Sequence, residues 1–171
     1  LLKNLLTLLF FMLLVAPLSA ELESELREIE MPDGTEVEIR VFPAEGDRLL
    51  LGFACDAGGG LHEEETAQAL SEDGVEVWMP DMLSGYMLPK LKSSVESIAT
   101  EDVIALLDKA IAESDKDIYL IASGPDTDLL LRGVARWEEL HPDDNRLKGA
   151  ILLFPRLNEG KPQPGMAPVY K

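Results

Sequence analysis

Apolar and polar positions change period several times along this chain, and each change predicts an element. Leu5 to Ala16 is apolar throughout except for Thr7. Val37, Ile39 and Val41 alternate with Glu36, Glu38 and Arg40, the period of a strand with one wet face. With Glu28 to Met31 before it and Pro32-Asp33-Gly34-Thr35 between, this reads as a hairpin about a D-G turn. A second turn, Ala44 to Asp47, leads to Arg48–Cys55, apolar after its first residue, as expected of a strand covered on both faces. The pattern then turns helical from Glu63 to Ser71, with acids in the first turn and Gly74 beyond its end. Strands follow at Val75–Met79, Asp117–Ala122 and Lys148–Phe154. Between them lie a helix capped by Thr100, with Val103, Ile104, Leu106, Leu107 and Ile111 on its apolar face, and another from Asp126 or Thr127 to about Leu140. Leu83 to Ser97 is expected to be a long loop.

Hairpin, then strands alternating with helices, predicts an α/β fold. Its sheet is mostly parallel with an antiparallel amino-terminal hairpin, and helices cover both faces. After the first twenty residues about 150 remain, enough for one domain. Residues 1–20 read as a signal peptide: Lys3, a short apolar core, then Pro17-Leu18-Ser19-Ala20 before acidic Glu21. A membrane anchor is the alternative, but a span needs roughly 20 apolar residues. The expected destination is periplasmic or extracellular, with no stable span after cleavage and 21–171 as the domain. The chain starts at Leu1, not Met, and stops at Lys171 soon after the last predicted strand, so a partial sequence is expected.

The net charge of −17 argues against nucleic acid, which needs clustered Lys and Arg, and against anionic membrane surfaces. One cysteine, Cys55, excludes an intrachain disulfide; it reads as a small buried filler, with a reactive thiol as the alternative. Two histidines, His62 and His141, show no metal-ligand spacing with the carboxylates. His141 reads as the end of the last helix, where a histidine suits the dipole. The glycine run lacks both the dinucleotide spacing and a Walker lysine. Neither a metal nor a cofactor is expected.

Two loops carry the candidate chemistry. Asp56-Ala57-Gly58-Gly59-Gly60-Leu61-His62 follows the third strand, and Ala122-Ser123-Gly124-Pro125-Asp126 follows the strand at 117–122. By element order and by these two loops, roughly Glu28 to Leu157 resembles the amino-terminal part of the α/β-hydrolase fold. A plain doubly wound α/β fold is the alternative. The resemblance implies that Ala57, Gly58, Gly59, Gly60, Leu61 and His62 form an oxyanion or ligand loop. It also implies an elbow of the form small-x-nucleophile-x-small, which places Ala122 at the first small position and Gly124 at the nucleophile. Pro125 follows, and Asp126 falls where the second small residue belongs. Glycine has no nucleophilic atom. Proline has no N–H to donate to an oxyanion, and losing one such donor costs about a hundredfold or more in rate.

Shifting the register makes Ser123 the nucleophile and Gly124 the donor, but puts bulky Ile121 at the flank and turns the strand's faces over. The family's acid and histidine would lie beyond Lys171. A third candidate is the loop after Trp78, where Tyr86, Lys90 and Lys92 leave the carboxyl end of a strand, the usual ligand edge of an open sheet; packing of its aromatics on the core is the alternative. The expectation is an exported, hydrolase-like protein without hydrolytic chemistry, binding an unidentified small molecule or protein partner at the carboxyl edge of the sheet. The alternative is an active serine ester or amide hydrolase using Ser123. A purely structural envelope protein is a third possibility.

Overall fold

The computed structural model describes residues 24–53, 61–155 and 164–167. Six strands form one sheet in the order β1-β2-β4-β3-β5-β6. They are β1 (Glu25–Glu30), β2 (Glu36–Phe42), β3 (Arg48–Phe53), β4 (Val75–Pro80), β5 (Asp117–Ser123) and β6 (Leu147–Leu153). The hairpin β1–β2 is antiparallel, as is β2 against β4, while β4–β3, β3–β5 and β5–β6 are parallel. The predicted mixed sheet is therefore present. All four parallel strands deliver their carboxyl ends to one edge, where the loops gather.

Helices lie on both faces. On one, Leu50, Val77 and Phe42 pack with Ala67 of α1 (Leu61–Glu72). On the other, Leu49, Leu51, Ile118 and Leu120 meet Val103, Leu106 and Leu107 of α4 (Thr100–Glu113) and Leu129, Leu130 and Trp137 of α5 (Asp126–Leu140). The alternation read in β2 holds: Val37, Ile39 and Val41 are buried, and Glu36 and Glu38 are exposed. The helices α4 and α5 approach closely at Gly133, where an added methyl would stand 2.3 Å from Val103 Cγ1.

Several sequence expectations shift. The first strand starts at Glu25 and ends before Met31, whose N–H closes the turn on Thr35 O at 2.7 Å. The stretch after β4 is not one loop: it holds two short helices, α2 (Met82–Gly85) and α3 (Lys92–Ser97). Asp81 initiates the first by accepting from the Ser84 N–H at 3.0 Å, a cap hidden in what read as a strand-ending Pro-Asp pair. Thr100 is not the cap of α4. Ala99 holds that position, its carbonyl accepting from the Asp102 N–H at 3.2 Å, and Thr100 is the first helical residue; the Thr100 hydroxyl accepts from Arg132 at 2.9 Å. Leu61 and His62 belong to the first turn of α1 and not to the glycine loop.

The last strand departs most. Its apolar run suggested burial, yet no residue of β6 is buried, and Ile151 and Leu153 keep 48% and 43% of their surface exposed. Among the described residues no helix is long and apolar enough to cross a membrane. The predicted signal segment, Cys55 and the glycines at 58–60 lie outside the described residues.

Candidate functional site at the carboxyl edge of the sheet

The turn from β5 into α5 is built by four residues. Ala122 is buried and ends the in-register pairing with Phe53 of β3. Ser123 closes the strand opposite Leu153. Gly124 takes φ +54°, the left-handed region that glycine enters without the steric cost of a Cβ. Its N–H donates to the Leu153 carbonyl at 2.9 Å, and its own carbonyl accepts from the Thr127 hydroxyl at 2.7 Å. Pro125 follows in helical conformation (φ −68°, ψ −27°) as the N-cap residue of α5, a position that needs no N–H of its own. Asp126 begins the helix and is 4% exposed. This gives a sharp strand-to-helix turn with glycine at its apex.

Beside the turn, between α1 and the sheet, lies a cavity of about 330 Å³. Leu50, Met79, Ile121 and Leu153 form its apolar floor and wall, and Ser123, His62, Glu63 and Thr66 bring the polar groups. The structure thus gathers two residues named from different loops. His62 sits at its rim: its side chain is almost fully exposed, and Nδ1 lies 3.3 Å from Glu65 Oε2 one turn along the helix. Thr66 turns its hydroxyl back to the His62 carbonyl at 2.7 Å.

A second cavity, of about 540 Å³, opens at the same edge among Pro32, Asp33, Tyr86, Leu88, Ile98 and Asp102. Tyr86 and Leu88 pack against the main core, as the structural alternative for this loop required. The Tyr86 hydroxyl reaches Asp33 Oδ1 at 3.5 Å, and Asp102 lines the same cavity. Burial raises the Tyr86 phenol above its ordinary value, with Asp102 adding to the shift. Burial likewise raises the Asp102 carboxyl, against the opposing hydrogen bonds from Tyr86 and Ala99. Asp33 moves the other way, held down by hydrogen bonds from Thr35. Sequence reasoning named Tyr86 but missed both carboxylates as its partners. Asp33 belongs to the D-G turn, where it accepts from the Thr35 N–H at 2.9 Å, and Asp102 stands in the first turn of α4.

Lys90 is exposed on the loop before α3, and Lys92 begins α3. Lys90 lines neither of the two cavities. Residues 57–60 of the glycine loop lie outside the described residues. His141 caps the far end of α5, stacked on Trp137 with ring centroids 4.6 Å apart. Among the described residues no group of His, Cys, Asp and Glu is placed to hold a metal.

No family model and no curated protein matches the sequence. Solved structures do match. A thioesterase domain from the curacin biosynthetic pathway superposes with a TM-score of 0.56 at 20% identity, over 81% of this chain and 49% of that one. The α/β hydrolase GrgF from Penicillium sp. sh18 gives 0.57 at 17% identity, over 81% and 47%. A cold-adapted esterase from an Arctic intertidal metagenomic library gives 0.55 at 23% identity, over 79% and 60%. The chain spans about half the length of the first of these. Sheet order, the turn after β5 and these superpositions agree, and the chain has the α/β-hydrolase fold over the part it covers.

Proposed function

We propose that this is an exported α/β-hydrolase-like protein that binds an apolar small molecule at the carboxyl edge of its sheet without hydrolysing it. The observation that carries the reading is the Gly124-Pro125 turn. Gly124 stands at the left-handed apex between β5 and α5, where the fold's elbow exposes its nucleophile, and it has no side chain to react. Pro125 has no N–H for an oxyanion. The cavity beside the turn is walled mainly by Leu50, Met79, Ile121 and Leu153, which favours a ligand with an apolar body and a hydrogen-bonding end near Ser123. Export rests on the sequence pattern of residues 1–20.

Serine hydrolysis through Ser123 is the second reading, favoured by that residue's place in the cavity wall. It needs the Gly124 N–H as oxyanion donor, and that group is already given to the Leu153 carbonyl at 2.9 Å. It also needs an acid and a histidine from beyond Lys171. A fluorophosphonate probe and a titration with a medium-chain fatty acid, monitored by melting temperature, separate the two. Binding without labelling is expected. Labelling that disappears in Ser123→Ala would overturn the non-catalytic reading, and no thermal shift in the folded protein would overturn the apolar-ligand reading.

A further inference from the structure

The crossover from β4 to α4 is anchored at its ends and superficial in the middle. Met82 and Leu83 are buried where it leaves the sheet, and Ser94, Val95 and Ile98 are buried where it returns to α4. Between Leu83 and Ser94 none of the described residues is buried. Two side chains hold this middle stretch down. Leu88 packs against the main core, and Tyr86 packs there too while its hydroxyl reaches Asp33 Oδ1 in the β1–β2 turn at 3.5 Å. Gly85 lets the strap lie close, since an added methyl would stand 2.8 Å from Val37 Cγ2 of β2.

The strap shares its cavity with a buried acid. Asp102 is 4% exposed and lines the space of about 540 Å³ together with Tyr86 and Leu88. The other charged groups lining it are carboxylates, Asp33 from the turn and Glu101 from α4 itself, and α3 contributes only the uncharged Ser97. Arg132 of α5 stands against the Thr100 hydroxyl at 2.9 Å and Asp128 at 3.5 Å and does not line the cavity. A carboxylate in this place loses hydration and meets like charges, and both costs are relieved when water enters. Burial accordingly raises the Asp102 carboxyl, with Asp33 and Glu101 adding to the effect, while hydrogen bonds from Thr35 hold the Asp33 carboxyl down.

We propose that residues 85–91 form a pH-driven flap over this cavity, shut while Asp102 is protonated and lifted when it ionises, with Tyr86 as the latch on Asp33. The sign follows from linkage. A group whose charged form is disfavoured by burial contributes its stabilisation below its ordinary value of 3.8, and loses it as pH rises through the folded-state value. What is lost here is the closure of the strap, because Met82, Leu83, Val95 and Ile98 at its ends belong to the main core. The device is separate from the cavity at the Gly124 turn, and its test needs no ligand.

Amide exchange of the 171-residue chain, corrected for intrinsic rates, is followed from the ordinary carboxyl value of 3.8 up to neutral pH. The Tyr86 and Leu88 N–H groups donate to Met82 O at 3.1 Å and Leu83 O at 2.8 Å, so they tie the flap to its anchored end. Their protection is expected to fall as pH rises, by up to about tenfold per pH unit, the limit for one released proton. In Asp102→Asn it should stay at the acid level throughout. Tyr86→Phe should lower it at acid pH and keep the slope, since Asp102 is still there to ionise. Flat protection in the wild type, a slope that persists in Asp102→Asn, full protection in Tyr86→Phe, or an equal loss at Leu49 and Leu51 of the interior strand β3 would each overturn the proposal. The last would mean that the whole domain loosens.

Discussion

Replacing Gly133 with alanine tests the packing of the two helices behind the elbow. In an isolated helix the change is favourable by about 1 kcal/mol, because alanine is the better helix former. Here the new methyl would lie 2.3 Å from Val103 Cγ1 and 2.6 Å from Val103 Cβ. Carbon atoms rest about 3.5–4.0 Å apart, so α4 and α5 must separate by roughly an ångström. Val103 is fully buried, and its branched side chain has one strongly preferred rotamer in a helix, so it cannot simply swing away. Overpacking of this kind costs about 1–3 kcal/mol, occasionally more. The propensity gain offsets part of that, leaving a net loss of about 1–2 kcal/mol. For a domain of this size each kcal/mol is worth about 2–4 °C in Tm. Trp137, on the same helix, and Trp78 are both 1% exposed, so urea unfolding followed by tryptophan fluorescence reads the effect directly. Val103→Ala removes the nearer methyls and lets the new one occupy part of their space, so the double variant should lose less than the sum of the single changes. Gly133→Ala at or above wild-type stability, or strict additivity, would refute the argument.

Two further predictions concern the edge loops. Met87 ends α2 with φ +52° in a Schellman arrangement, with its N–H on Ser84 O at 2.9 Å and the Leu88 N–H on Leu83 O at 2.8 Å, a position glycine usually fills. Its side chain is 92% exposed, so Met87→Gly should raise stability by about 1 kcal/mol; a fall in Tm would mean that the methionine packs against something. Asp102→Asn tests the buried carboxyl beside Tyr86. Its folded-state pKa is raised, chiefly by burial, above the ordinary 3.8, so the contribution it makes when protonated is present below that value and lost as pH rises through the folded pKa. Relative to the asparagine variant, wild-type Tm should therefore fall across that window and run parallel above it, whereas a difference rising with pH would contradict the assigned cause.

Much of the fold was legible because its signals are local. The D-G turn, the alternation of β2 and the acids opening α1 and α5 each act within a few residues, and their elements lie where the sequence put them. The Gly124-Pro125 pair was legible for the same reason: a glycine apex and an N-cap proline answer a backbone requirement that neighbouring residues set. The Tyr86 contacts were not legible, since its hydroxyl reaches 53 residues back to Asp33. Nor was the ion pair of Lys116 with Glu76 at 2.6 Å, which closes the amino end of the sheet across 40 residues. Nor was the contact of Arg132, from another helix, with the Thr100 hydroxyl at 2.9 Å.

The sequence by itself determined the order of the strands and of the three longer helices, the parallel character of the later sheet, and a turn after β5 with glycine at its apex. All three follow from side-chain period and backbone freedom, which a chain carries with it before it folds. Only the tertiary structure decided which strands are neighbours, which face α1 covers, that Ser123 and His62 border one cavity, and that the Gly124 N–H is spent on Leu153. It also decided the state of β6. An apolar run reports that a strand wants cover, and whether cover is there depends on what else packs against the sheet, information that no local pattern contains.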